Sequence, residues 1–562
     1  MAAWFANPAW LLIIGGLILP LFGYRLRCAL LLIVPVIAAV WLLQMPRPLT
    51  VETELLGYAL MPVRLDGLSF VFALIFLIAA FLTGLFMLSN RSRLEPAAML
   101  VYAGAAVAAA LAGDLLTLFL YWEATALASV LIILANGPQT FRVSMRYLVM
   151  QVASGLLLLT GALIYFRSTG SFEFGHLGLD APGGWLIFFA FGIKAAFPFL
   201  HNWLQDAYPA ASPTGTVALS AFTTKLAIYA LARGYAGTEI LIPIGALMTA
   251  FPIFYAVIEN DLRRVLAYSL NNQLGFMVVG IGIGTELALN GTAAHAFTHI
   301  LYKALLFMSM GAVLYRAGTV KGSELGGLYK SMPWTMVFCV VGAASISAFP
   351  LFSGFISKSL ILSSAGYQGL WFVWLVLVFA SAGVFHHSGI KIPFFAFFAH
   401  DSGIRCKEAP WNMLLAMGIT AALCIGIGVF PGPLYDILPY AVDYEPYTAS
   451  HVLTQMQLLL FSALAFTVLM RTGIYPPELR STNLDSDWLY RRLLPAGIDR
   501  IALAMEFLFE QFARAGRRVG TTLTREGYDG MPGRTWPVGA MALWVAALLA
   551  VLLIFGILET VV

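Results

Sequence analysis

Glu123, Lys194, Lys225 and Lys358 each interrupt an apolar run long enough to cross a bilayer. A charge near the bilayer centre costs ~2.5–3.5 kcal/mol on insertion scales. One such residue can be tolerated as a snorkeller near a helix end. Four of them, joined by His295, His299 and Lys303 in HAFTHILYKALLF, read as an ion path. The four-residue spacing of 295, 299 and 303 places these three on one helical face. Imidazole accepts and donates protons near neutral pH, and a desolvated lysine, unlike arginine, trades its proton readily. The chemistry on offer is a proton relay, with satisfied core histidines as the bland alternative. As zinc ligands the two histidines make half a site, with no Cys or carboxylate suitably spaced nearby.

Glu123 lies midway along LTLFLYWEATALASVLIIL, a run with no other charge. A stable anion there implies a cationic partner, and Lys194 is the natural candidate. If they pair, their separation governs where the proton resides; the alternative is a fixed inter-helix ion pair. Pro198 stands four residues after Lys194. Its ring clashes with the carbonyl at i−4, so the freed Lys194 carbonyl and its ammonium meet at mid-membrane. Pro350 and Gly354 precede Lys358 in AFPLFSGFISK. Interrupted backbone is tolerated at membrane depth where it lines a protein-enclosed, hydrated cavity. An ordinary proline kink with a lysine neighbour is the competing reading at both places. His201 and Asp206 follow the first break, bordering a water entry or capping the next helix. His386, His387 and Lys391, in HHSGIKIPFF, are weaker candidates for the path, with interfacial residues whose side chains snorkel as the equal alternative.

The elements that must hold these residues are transmembrane helices. Of 562 residues, 60% are hydrophobic and 11% charged, against about 25% charged in a soluble domain. Mean hydropathy is +0.86. Runs long enough to span fall near 8–24, 28–44, 67–89, 97–112, 115–136, 145–167, 183–200, 212–234, 238–258, 268–285, 292–316, 334–365, 370–392, 411–430, 452–470 and 536–560. The expected fold is an all-α integral membrane protein with about 14–16 transmembrane helices. Loop charges test that division independently. Arg25, Arg27, Arg91, Arg93, Arg142, Arg146, Arg263, Arg264, Arg316, Lys321, Lys330, Arg405, Lys407 and Arg471 fall on one side. The opposite loops hold only Arg47, Arg64, Arg167 and Arg233. The positive-inside rule then puts the N-terminus outside and the basic loops in the cytoplasm of a bacterial inner membrane. The first run has no basic flank and reads as a retained helix, not a cleaved signal.

The net charge of +4 and the lack of a basic run with interleaved aromatics exclude nucleic acid as a partner. Cys28, Cys339, Cys406 and Cys424 have no CxxC spacing, which argues against zinc, a cluster or a disulfide framework. No Walker motif, GxGxxG or nucleophile elbow occurs, so neither cofactor nor metal is expected.

Lys194 and Lys358 lie 164 residues apart, and His386 and His387 follow Lys225 by 161 and 162. Polar residues recurring five helices apart imply two inverted five-helix repeats with broken helices 7 and 12. The division is then 1–96 for helices 1–3, 97–234 and 238–400 for the repeats, and 408–471 for C-terminal helices. A polar segment, 472–535, and a final helix, 536–562, complete it. Within the segment, 497–518 is amphipathic, with Ile501, Leu503, Met505, Leu508 and Phe512 forming one face. It reads as a helix lying in the interface or against a partner.

Six stretches resemble the antiporter-like subunits shared by respiratory complex I and Mrp-type multisubunit sodium/proton antiporters. They are DLLTLFLYWEATALAS, IKAAFPFLHNWLQDAYPAASPT, TKLAIYALAR, RRVLAYSLNNQLGFMVVGIG, HAFTHILYKALLF and SAFPLFSGFISKSLIL. Together they cover roughly 60–390, and DSDWLYRR near 486–492 looks like the tail of longer members. The resemblance implies a hydrophilic axis along the membrane plane, with the positions of Glu123 and Lys194 as the coupling pair. Lys225, His295, His299 and Lys303 continue the path, and Lys358 matches a position that carries Lys or Glu. Lys225 and DAYPAASPT look most like the Mrp D-type subunit, whereas the tail looks like longer members. Gln205 departs from the usual WLPDA and alters the turn after helix 7. The implied function is a proton-translocating subunit of a multisubunit monovalent cation (Na⁺)/proton antiporter, with other membrane subunits and lipid as partners. It is a transporter subunit more than an enzyme. The alternatives are the membrane arm of a complex I-like or membrane hydrogenase oxidoreductase, or of an energy-coupled inorganic-carbon uptake complex.

Overall fold

The computed structural model describes residues 2–55, 57–475, 478–479, 483–528, 541–549 and 551. They form two compact units, 1–483 and 484–562. Polarity in the first unit is inverted relative to a soluble protein. Lys194, Lys225, His295, His299 and Lys303 are fully buried, while Ile37, Phe254 and Phe461 are more than half exposed. Lipid, not water, is the solvent that suits such a surface. Among the described residues, eleven helices are long and apolar enough to cross a membrane. Three shorter apolar helices accompany them: Ala9–Leu21, Gly184–Lys194 and Pro333–Ile346. The helix Leu262–Ile283 adds a polar segment, because Arg263, Arg264, Asn271, Asn272 and Gln273 interrupt it.

Expected runs 183–200 and 334–365 are each interrupted. The first ends early as Gly184–Lys194, with the helix Asn202–Ala210 following beyond the run, and the second becomes Pro333–Ile346 and Ser353–Tyr367. A third interruption falls at Phe222, between Gly215–Ala221 and Thr223–Gly234. An antiparallel hairpin, β1 (Leu49–Leu55) and β2 (Tyr58–Leu65), departs from the all-helical expectation. Met61 N on β2 donates at 2.8 Å to the Asp114 carboxylate, which also caps the helix Leu115–Leu134. Asp66, just after β2, closes a capping box with Ser69 and pairs with Arg233 at 2.8 Å.

The two repeats are visible in hydrogen bonds. Leu115 N bonds Phe172 O at 2.8 Å and Phe174 N bonds Gly113 O at 2.9 Å. Leu262 N bonds Val320 O at 3.0 Å and Gly322 N bonds Asn260 O at 2.8 Å. Aspartates 114 and 261 cap the paired helices. The next helices, Phe141–Thr169 and Glu286–Ala317, both end on a left-handed glycine, Gly170 and Gly318. Five crossings lie between the start of one copy and the start of the other, an odd number that inverts the second.

The second unit contains the helix Leu494–Tyr528, with Ile501, Met505, Leu508 and Phe512 exposed along it. Most of the final helix expected at 536–560 lies outside the described residues.

Candidate functional site

Each helix break is built the same way. Ala196 and Phe199 adopt left-handed backbone with φ of 62° and 68°, and Ala348 and Leu351 do so with 56° and 75°. Phe197 N reaches back to Gly192 O, and Phe349 N to Ala344 O. Both are five-residue closures that widen the last turn before Pro198 and Pro350 prevent its continuation. The break motif AFP thus recurs 152 residues on, and this register, not the 164-residue spacing of the lysines, relates the two breaks. Lys194 ends the first half-helix, whereas Lys358 sits on the half-helix after its break.

Lys194 Nζ donates to Trp122 O at 2.7 Å and Thr125 Oγ1 at 3.2 Å, and lies 4.3 Å over the Trp122 ring. Glu123 is adjacent in sequence to that indole and within electrostatic reach of the ammonium, but among the described residues no ion pair joins them. Its Oε1 is buried without a protein hydrogen-bond partner, and it rests on Gly155, where a Cβ would approach it to 1.7 Å. Trp203 Nε1 caps the Ile193 carbonyl at 2.9 Å, so the open end of the half-helix is satisfied from beyond the break.

Lys225 follows the interruption at Phe222 and donates to Ser220 O at 2.6 Å. His295 shares a 2.9 Å bond with Ser357 Oγ and a 3.4 Å contact with Tyr302 Oη. His299 has neither ring nitrogen bonded to protein, and its ring stands 6.1 Å from that of His295. Lys303 donates to Ser269 Oγ at 2.9 Å and Leu266 O at 3.3 Å. The glycines that close these two helices, Gly170 and Gly318, are 148 residues apart. In that register Tyr147, Gln151 and Gly155 stand where His295, His299 and Lys303 do. The buried Gln151 is likewise unbonded, so the first copy keeps a polar row without the titratable groups.

Lys358 Nζ crosses the second break to donate to Ile346 O at 2.8 Å, and lies 5.1 Å from the Phe276 ring centre. Ile346 occupies the break-register position of Lys194, so Lys358 bonds the freed carbonyl at the second break, whereas Lys194 is seated on Trp122 O of the neighbouring helix. The interfacial reading of HHSGIKIPFF is corrected. His387 and Lys391 are fully buried on a segment that winds as a π-helix over Phe385–Ile390 and again over Phe394–Phe398. The wider turn rotates Lys391 inward onto the C-terminal carbonyls of the helix Leu241–Ile258, with bonds of 2.6 Å to Val257 O and 2.7 Å to Glu259 O. Asp206 is bonded twice by Arg146, at 2.9 and 3.1 Å, and the buried His201 packs on Phe251.

Among the described residues, none of Lys194, Lys225, Lys303 and Lys358 has a carboxylate within 4.0 Å. Each is held by a carbonyl, three with no second charge nearby but another lysine or histidine. A carbonyl receives an amine or an ammonium alike, so these sites tolerate both states. No cluster of three or more His, Cys, Asp or Glu suited to a metal occurs among the described residues. Sequence reasoning missed Gly155, Trp122, Ser269 and Ser357, the neutral groups that seat the charges; only Trp122, beside Glu123, carried a signal.

Residues 112–384 match the family described as NADH:quinone oxidoreductase/Mrp antiporter, TM. The chain is 28% identical over 350 residues to hydrogenase-4 component B of Escherichia coli K12, covering 55% of this chain and 52% of that one. It is 31% identical over 276 residues to the D-type subunit of the Na(+)/H(+) antiporter of Alkalihalophilus pseudofirmus, covering 45% and 56%. It therefore spans about half the length of these curated relatives. A chain in the structure of the Mrp complex from Dietzia sp. DQ12-45-1b superposes with a TM-score of 0.76 at 24% identity, covering 99% of this chain and 63% of that one. At that identity the likeness concerns fold.

Proposed function

We propose that this chain, a member of the NADH:quinone oxidoreductase/Mrp antiporter membrane family through residues 112–384, is a proton-translocating subunit of a multisubunit monovalent cation/proton antiporter. Protons pass along Glu123, Lys194, Lys225, His295, His299, Lys303 and Lys358. The observation that carries this reading is the set of buried ammonium groups held on carbonyls with no carboxylate paired to them among the described residues. A structural ion-pair network would pair its charges, since an uncompensated buried charge is heavily penalised. Carriers that alternate between charged and neutral forms need seats of this kind. The Glu123–Lys194 pair couples the row to its driving force, because each senses the other's charge without a fixed contact.

The likeness to hydrogenase-4 component B favours a second reading, a proton-pumping membrane arm of an oxidoreductase. Everted vesicles carrying the assembled complex separate the two. A ΔpH set up by respiration and followed by dye quenching should relax on adding Na⁺ or K⁺. Acidification that appears only with an electron donor, with no cation response, transfers the protein to the redox-driven class.

A further inference from the structure

The row does not end at Lys303. Ser269 Oγ, which accepts from Lys303, also accepts from Ser388 Oγ at 2.8 Å, and Ser388 Oγ shares a 2.9 Å bond with His387 Nδ1. Three contacts thus join a lysine of the axis to a histidine on the π-helical segment. The other imidazole nitrogen, His387 Nε2, is fully buried and bonds no protein group among the described residues. Beyond it Lys391 pairs with Glu478 at 2.9 Å, both side chains being 5% exposed or less. Lys391 also bonds the Glu259 carbonyl, and the Glu259 carboxylate lies 3.8 Å from Arg264, whose side chain is 41% exposed. Arg263 and Arg264 belong to the basic-loop side of the membrane. Charged and hydroxylic groups therefore run from that surface to the centre of the axis, through a segment that the seven path residues leave out.

The geometry points to a side branch, Glu478–Lys391–His387–Ser388–Ser269–Lys303, that carries protons between the basic-loop surface and Lys303. The inference rests on the proton-translocating reading. With Lys303 neutral, the same heavy-atom contacts can run donor to acceptor inward: His387 Nδ1–H to Ser388, Ser388 to Ser269, Ser269 to Lys303. A proton arriving at His387 Nε2 then releases one from Nδ1. Each serine passes one proton on and receives one, and Lys303 gains one. The imidazole has changed tautomer and resets when its ring turns over. The Lys391–Glu478 pair sits at the mouth. Glu478 takes the proton from the surface when it leaves Lys391, and delivers it to Nε2 through solvent, which is the partner that a buried, unbonded ring nitrogen requires. Histidine suits this hand-over because one nitrogen accepts while the other donates.

The competing explanation is structural: Lys391 merely caps the helix Leu241–Ile258, as a cation at a helix C-terminus does. Ser388→Ala and Ser269→Ala separate the two, because they remove hydroxyls from the chain and leave Lys391 on its carbonyls. In vesicles carrying the assembled complex, each should slow proton flux on the order of tenfold or more, and Ser388→Ala, which leaves the Ser269 seat of Lys303 in place, should do so with an unchanged melting midpoint. Ser388→Thr, which keeps the hydroxyl, should recover most of the rate. Wild-type flux in both alanine variants overturns the branch and leaves the proposed function standing. A Lys391→Met variant that melts lower while both serine variants conduct normally reduces Lys391 to a cap, and also overturns it. A wild-type complex that moves no protons under any driving force removes the proton-translocating reading, and the branch with it.

Discussion

At the scale of single residues, the site depends on what surrounds each charge more than on the charges themselves. The buried lysines and histidines were legible because titratable groups stand out against an apolar run. Their seats were not, since a carbonyl or serine carries no signal until the chain is folded. Lys391 shows the limit. Its flanks resemble a membrane surface, and only the π-helical turns rotate it inward. Gly155 gives the sharpest residue-scale prediction. An alanine Cβ there would lie 1.7 Å from Glu123 Oε1, so the carboxylate must leave its place. Gly155→Ala should assemble, with a stability loss of about 1–3 kcal/mol, and should lose most cation-coupled flux. Full flux at matched protein levels would show that Glu123 works equally well displaced.

At the scale of elements, the two helix breaks were foreseeable from proline. Their register was not, because the two lysines invite a 164-residue alignment whereas the broken backbone repeats at 152. Gly354 is the tightest point of the second break. A Cβ would stand 1.9 Å from the Ser345 carbonyl, backbone that cannot yield cheaply. Gly354→Ala should cost about 1–3 kcal/mol and shift Lys358 off Ile346 O, lowering both melting midpoint and flux. A midpoint and flux equal to wild type would contradict the rigid break described here. The hairpin β1–β2 escaped a reading tuned to twenty-residue spans, since its strands are short and half-exposed. It leads into Asp66, where burial works to raise the carboxyl pKa but Arg233 holds it below the ordinary aspartate value. A depressed folded value adds stability above the unfolded pKa, lost as pH falls through the lower value. Wild type should therefore lose stability in that acid window, and Asp66→Asn should show a flatter profile there. Parallel profiles would deny the Arg233 contact that role.

At the scale of the molecule, the helical membrane fold was readable from hydropathy, because bilayer thickness fixes span length, and its inversion from polar residues recurring five helices apart. The polar row runs through both repeats, with Lys194 seated on Trp122 O and Lys358 on Ile346 O at the second break. The central claim is that the row conducts protons. Its most direct measurement compares cation-driven ΔpH relaxation in everted vesicles for wild type, Glu123→Ala, Lys225→Met and Lys303→Met at matched assembly. Relaxation in wild type and its loss in all three variants, with the complex still intact, is the expected result. Wild-type relaxation in Lys225→Met and Lys303→Met would contradict it, leaving these lysines as buried fittings of the fold.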